Sequence, residues 1–319
     1  MPKITIRDPG GPYVAGFTEA FYAPFTAATG IGVERVVGGV EPTGLIQDMV
    51  ATRDYRWDMA LVSHAAHLQL AEAGALEPLG EPTPSIATIP QGLRSPYFVG
   101  NEVLAVVLAV SLRAWPDGGP EDWTDLWDVT RFPGRRALRA HPIDTLEMAL
   151  LADGVAPEAL YPLDVERAFR SLDRIRPHVA EWWPRVIRTQ ELMAGHGAEL
   201  IVTSSIRAQA AIDAGADYRI AWGRNLRSCE GFLVLRGTPN ADACRAFIRF
   251  AATPERQAAF TTHVCAAPTI PAAHALVPPG RARLLPSHPA HTSQAVSIDS
   301  AFWSRAKDSL QQRFMDWLK

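Results

Sequence analysis

Glu230 stands at the entrance of an apolar run, Cys229-Glu230-Gly231-Phe232-Leu233-Val234-Leu235. A carboxylate placed there can accept hydrogen bonds from an ammonium, and a charge-assisted pair is roughly twice as strong as a neutral one. The plainer reading is a half-solvated acid at a strand end. Arg207 opens a helical pattern directly after the strand pattern 199–203. Its planar fork suits a bidentate contact with a carboxylate; a solvated helix-start arginine or an internal ion pair is the alternative. If both residues bind ligand, they hold opposite ends of a zwitterion. A polyamine would want carboxylates at both ends and would be repelled by the arginine.

Other residues at strand ends complete a candidate set. Ser205 and Ser63 offer hydroxyls, and His64 either joins them or caps the helix that follows. The loop Asp8-Pro9-Gly10-Gly11-Pro12-Tyr13 separates the first strand from the first helix. Gly11 lets backbone amides approach a ligand, a helix N-terminus favours anions, and Tyr13 could wall a pocket; a plain turn is the other reading. Trp182, Trp183 and Trp222 lie at strand ends. An aromatic face can hold an ammonium by about 0.5–2 kcal/mol, although core packing is the commoner role. Alternation lets only one of Trp182 and Trp183 face a cleft, and Trp183 is the candidate. Tyr97, ahead of a long apolar strand, is the last.

Several chemistries are unsupported. No Gly-x-Ser-x-Gly, phosphate loop or Gly-x-Gly-x-x-Gly fingerprint occurs. The nine histidines are dispersed, and His288 and His291 share a loop without carboxylate partners. No catalytic residue, metal or cofactor is therefore expected. Cys229, Cys244 and Cys265 fit no metal spacing. Either Cys244 and Cys265 pair in an oxidising compartment, or all three are buried thiols, which is the ordinary case. A net charge of -3 gives no argument for nucleic acid or a membrane surface. No apolar run reaches the roughly 20 residues that span a bilayer. The chain opens on a strand without the n-region and h-region of a signal peptide. It is then either cytoplasmic or, as the abrupt start suggests, an exported protein whose signal has been removed.

The elements that must position these residues alternate. Strands are expected over 3–7, 33–37 and 58–62, with helices over 14–29, 42–52 and 64–73 between and after them. Phe17, Phe21 and Phe25 mark one face of the first helix. Such βα units imply a mostly parallel sheet covered by helices. A proline-rich irregular stretch, 81–96, precedes a continuous apolar strand over 102–111. A second alternating set covers 120–222, with strands over 136–139, 179–182, 199–203 and 218–222. The chain returns through 232–235 to two helices over 240–261. A proline- and histidine-rich loop, 266–289, leads to a terminal amphipathic helix over 301–318. The expected layout is one lobe from 1–101 and 232–284 and a second from 102–231 and 285–319. Ligands of open α/β sheets bind outside the carboxyl ends of strands, which for two facing sheets is the cleft between lobes.

Local words give this layout a relative. They are Trp123-Thr124-Asp125-Leu126-Trp127-Asp128, Arg131-Phe132-Pro133-Gly134, Leu150-Leu151-Ala152-Asp153-Gly154-Val155, Leu160-Tyr161-Pro162-Leu163-Asp164, Trp182-Trp183 and Pro254-Glu255-Arg256-Gln257-Ala258. In this order they resemble the extracellular solute-binding proteins of ABC importers, in the subgroup that binds polyamines, γ-aminobutyrate and similar amino acids. The resemblance implies an α/β, two-lobed type II periplasmic-binding-protein fold that closes on its solute about crossing strands. It also implies an acidic ligand contact at Glu230, a membrane permease as partner, a periplasmic location and a monomer. After the strand 199–202 the family often carries an aromatic-polar-Gly-Arg turn, where this chain has Thr203-Ser204-Ser205-Ile206-Arg207. The arginine is kept and the aromatic is not. The resemblance points to capture of a small amine-bearing solute, an amino acid or ω-amino acid such as γ-aminobutyrate, or a polyamine. An enzyme on the same scaffold and a ligand-sensing regulator domain are the alternatives.

Overall fold

Strands form where the sequence alternates or runs apolar: β1 Lys3–Asp8, β2 Gly32–Val37, β3 Met59–Ser63, β4 Arg94–Ser95, β5 Phe98–Ser111, β6 Arg136–Arg139, β7 Val179–Trp183, β8 Leu200–Ser204, β9 Tyr218–Val234, β10 Ala267–Pro268 and β11 Val296–Ser297. The computed structural model describes residues 2–38 and 41–319. It divides into unit 1, Met1–Leu104 with Ser228–Ser287, and unit 2, Ala105–Arg227 with His288–Lys319. The boundaries fall inside β5 and β9, a few residues from the expected 101/102 and 231/232. Glu102 and Glu230 therefore both belong to unit 1.

In unit 1, β1 lies parallel to β2 and β3, and β3 lies antiparallel to β9. The short β4 and β10 pair antiparallel with the first half of β5. Helix Tyr13–Gly16, a π-helical stretch Phe17–Tyr22 and helix Ala23–Thr29 follow one another directly. Gly30, at φ 72, ends them in the left-handed conformation that glycine adopts without steric cost. Phe17, Phe21 and Phe25 are fully buried. Phe17 and Phe21 stack on Phe260 of helix Pro254–His263 at 5.1 and 5.2 Å. That helix begins where the sequence places Thr253 before Pro254: the Thr253 hydroxyl caps Arg256 N at 3.4 Å.

In unit 2, β8 lies antiparallel to the second half of β5 and parallel to β6, β6 lies parallel to β7, and β11 lies parallel to β9. The terminal helix Ser300–Leu318 turns Phe314 and Trp317 onto Trp182, with ring centroids 6.1 and 5.4 Å apart.

Two expectations change in detail. Residues 218–222 and 232–235 do not form separate strands, because β9 runs unbroken through the polar stretch between them. Arg224 takes φ 46 within it. The loop 266–289 is partly ordered into β10, the 3₁₀ helix Pro271–Leu276 and helix Pro279–Ala282, whose prolines sit at helix starts.

Candidate ligand-binding site

The register of β3 against β9 sets the first part of the site. Met59 lies opposite Val234 and Leu61 opposite Phe232, so the apolar runs face one another and are buried. The polar residues at the end of the pair, Ser63 and Glu230, are then register partners. Opposed residues of an antiparallel pair share a face of the sheet, with Cβ atoms about 4.5–5.5 Å apart. Tyr13 comes to the same place from the first helix. Its ring is 5% exposed and stacks on Phe17 at 5.5 Å, and its hydroxyl donates to Glu230 Oε2 at 3.3 Å. The glycine pair makes this approach possible. Gly10 and Gly11 take φ 66 and 58, and a Cβ on Gly10 would come within 2.5 Å of Val37 Cγ1. Gly11 itself lies exposed in the turn and accepts from Val14 N at 3.1 Å.

Four further residues join this group without having been singled out in the sequence. Glu102 on β5 is fully buried. Asn101 Nδ2 donates to its Oε2, while its Oε1 has no hydrogen-bond partner among the described residues. Burial, reinforced by Glu230, pushes its carboxyl well above the usual carboxylate range, against hydrogen bonds from Asn101 and Tyr13. Arg7, at the end of β1, is 6% exposed and donates to Gly38 O at 2.8 Å. Burial lowers its guanidinium, opposed first by Glu41 and then by Glu230 and Asp8. Glu41 Oε2 accepts from Ser63 N at 3.3 Å. The next acid along β1, Asp8, is committed elsewhere: Arg35 grips it with two nitrogens at 2.6 and 2.7 Å, and Tyr22 donates to it at 3.0 Å. Glu102 carried the same signal as Glu230, an acid beside an apolar run, but sits where the pattern predicts a buried strand.

Ser63 also caps Ala66 N at 3.2 Å, which starts helix His64–Glu72. His64 stacks on His67 at 5.2 Å and lies tilted against Phe98 at 5.4 Å, and burial lowers its pKa. Tyr97 is half-buried against the same core, with its backbone N donating to Ser95 Oγ at 3.1 Å. These two face packing partners of their own.

Unit 2 holds the remaining candidates. Helix Ser205–Asp213 starts directly after β8, and Ser204 Oγ caps Arg207 N at 3.3 Å. The Arg207 side chain is 5% exposed, and its Nη1 donates to Gln190 Oε1 at 2.8 Å. Ser205 is fully buried and its Oγ accepts from Ala105 N at 3.3 Å, so that hydroxyl serves β5. Trp183 belongs to the unit's hydrophobic core with Leu192, Met193 and Ile201. Trp222 stacks flat on His291 at 3.9 Å and 6°. Asn225 Nδ2 donates to the carbonyls of both residues at 2.8 Å, which holds the stack in place. Among the described residues no group of acids, histidines and cysteines could hold a metal, and the three cysteines form no disulfide and are buried.

The long strands β5 and β9 run through both α/β units, and one unit carries an acid-rich sheet end, an arrangement suited to binding a small solute. Residues 20–283 match the bacterial extracellular solute-binding proteins, and the chain belongs to that family. Its relatives include the γ-aminobutyric acid-binding protein of Pseudomonas aeruginosa, 32% identical, with 99% of this chain and 90% of the relative covered. An ABC transporter substrate-binding protein from Bradyrhizobium japonicum shares the fold with a TM-score of 0.93, 33% identity and 100% of both chains covered. A periplasmic binding protein from A. tumefaciens in complex with agropinic acid follows with a TM-score of 0.90, 29% identity and 100% and 99% covered. The fold is the mixed α/β fold of periplasmic binding proteins, as the sequence led us to expect. The family consists of transport proteins that take a small-molecule ligand and serve a membrane permease. Neither the enzyme nor the regulator alternative is favoured. No helix of the described residues is long and apolar enough to cross a membrane.

Proposed function

We propose that this protein captures γ-aminobutyrate or a closely related amino acid in the periplasm, as a monomer, and delivers it to an ABC permease without chemical change. The observation that carries the reading is the acid-rich end of β3 and β9. There Glu230 stands opposite Ser63 with Tyr13 on its carboxylate and Glu102 buried in the adjoining strand. Arg7 faces Glu41 as well as Glu230, so the acids outnumber the cations and the group favours a positive charge. An ammonium donating to Glu230 fits that environment. Arg207 would take the solute carboxylate through its fork, and the Trp222 ring would supply an apolar wall. Tyr13, Ser63 and Gly11 would line the ammonium end. Ser205, Trp183, His64 and Tyr97 act in this reading by supporting the elements that carry the others. The arginine argues against a polyamine, which has no anion to offer it.

Calorimetric titration with γ-aminobutyrate tests the assignment. Glu230→Gln and Arg207→Ala should each weaken binding by about 2–5 kcal/mol, the cost of leaving one partner of a desolvated charge pair alone. Unchanged affinity in both variants would reject the residue roles.

A further inference from the structure

We propose that Glu102 sets the charge selectivity of the site: it stands beside Glu230 as a neutral carboxylic acid, so the two acids present one negative charge and take a monocationic amine in preference to a diamine. The inference rests on the amine-binding reading above.

The geometry separates the two carboxyls. Glu230 is half-buried and receives the Tyr13 hydroxyl at 3.3 Å. Glu102 is fully buried, takes the Asn101 amide on Oε2, has the Tyr13 hydroxyl beside it and leaves Oε1 without a partner among the described residues, and no lysine, arginine or histidine among them is paired with it. Its titratable neighbours are Glu230 and Cys229 from β9 and Tyr13 from the first helix, none of them a cation. β10, opposite Glu102 through Pro268, brings no ionisable group. Arg7, on β1, interacts electrostatically with Glu41, Glu230 and Asp8. An isolated buried carboxylate is costly, and a second like charge adds to the cost, so the proton settles on the deeper acid. The Asn101 amide can donate to a neutral acid's carbonyl oxygen as well as to a carboxylate. At the Glu102–Glu230 pair itself a dication finds one anion and would have to expel that proton to find a second; a single ammonium would not.

The test uses the full chain, γ-aminobutyrate and 1,4-diaminobutane, in wild type, Glu102→Gln and Glu230→Gln. Glutamine mimics the neutral acid, so Glu102→Gln should keep the wild-type preference for γ-aminobutyrate over the diamine at neutral pH, and a reversed preference overturns the proposal. Glu230→Gln should lose about 30-fold or more. Wild type should favour γ-aminobutyrate over the diamine, and a wild type that prefers the diamine overturns the proposal. Loss of γ-aminobutyrate affinity in Glu102→Gln comparable to that of Glu230→Gln overturns the proposal. Failure of the parent reading looks different: wild type then binds neither amine. The neutral state of Glu102 is also read without ligand, from unfolding above neutral pH. Glu102→Gln at least as stable as wild type supports it, and a clearly less stable variant overturns it.

Discussion

Glu147 in helix Pro142–Ala152 should make unit 2 lose stability as pH rises through neutrality. Its side chain is fully buried. Tyr161 Oη and Trp303 Nε1 both donate to its Oε1 at 2.5 Å, while Oε2 has no partner among the described residues. Through Trp303 it ties the terminal helix Ser300–Leu318 to the body of the unit. Burial raises the carboxyl from 4.5 to about 7, opposed by the Tyr161 hydrogen bond, helped by Asp144 and opposed again by Trp303. A folded value above the unfolded one means that the stabilisation is complete below pH 4.5 and is lost as pH rises through about 7. At about 1.4 kcal/mol per unit the loss above that range is about 3 kcal/mol. For a chain of this size that corresponds to a midpoint shift of roughly 6 °C. Glu147→Gln removes the titration and keeps a carbonyl for both donors. The assay is thermal unfolding followed by tryptophan fluorescence, which reports mainly on unit 2 because only Trp57 of the nine tryptophans lies in unit 1. Wild type should fall relative to the variant by roughly 6 °C between about pH 5 and pH 8. Parallel curves, or a variant that falls faster than wild type, would refute the reasoning.

Gly231→Ala should cost about 1–3 kcal/mol or more by overpacking, because its Cβ would lie 2.4 Å from Val99 O and 2.5 Å from Phe98 Cζ; an unchanged urea midpoint would contradict this. Arg207→Lys keeps the charge but loses the fork, so solute affinity should drop about tenfold, and a lysine variant equal to wild type would show that the fork is not used. The three buried thiols should react with a thiol reagent only after unfolding, and reductant should leave the melting temperature unchanged; a drop on reduction would reveal a disulfide.

What was legible in the sequence was mostly periodicity and punctuation. Phe17, Phe21 and Phe25 announced the first helix because three aromatic rings at that spacing share one face, and all three are buried. The two helices expected over 240–261 are divided at Thr253-Pro254, where the threonine hydroxyl caps Arg256 N and the proline has no donor of its own to satisfy. Glu230 was visible because it interrupts an apolar run, and β-pairing then placed Ser63 opposite it. Glu102 was not visible as a site residue, since only the packing of Asn101, Tyr13 and Glu230 around it distinguishes a buried acid from one that turns to solvent. The tryptophans were not separable either. Trp183 is buried in the core while Trp222 meets His291, a partner nearly seventy positions away in the chain whose approach depends on tertiary structure. The length of β9 was missed for a related reason: one residue at positive φ lets a polar segment continue a strand that its composition reads as a turn.

The central claim is that the acids at the end of β3 and β9 recognise an ammonium. The direct measurement is a pair of calorimetric titrations on the wild-type protein, one with γ-aminobutyrate and one with butyrate, which lacks only the amine. The account predicts that γ-aminobutyrate binds and that butyrate binds at least about 30-fold more weakly, because butyrate brings no ammonium to donate to Glu230. Equal affinities for the two would contradict it.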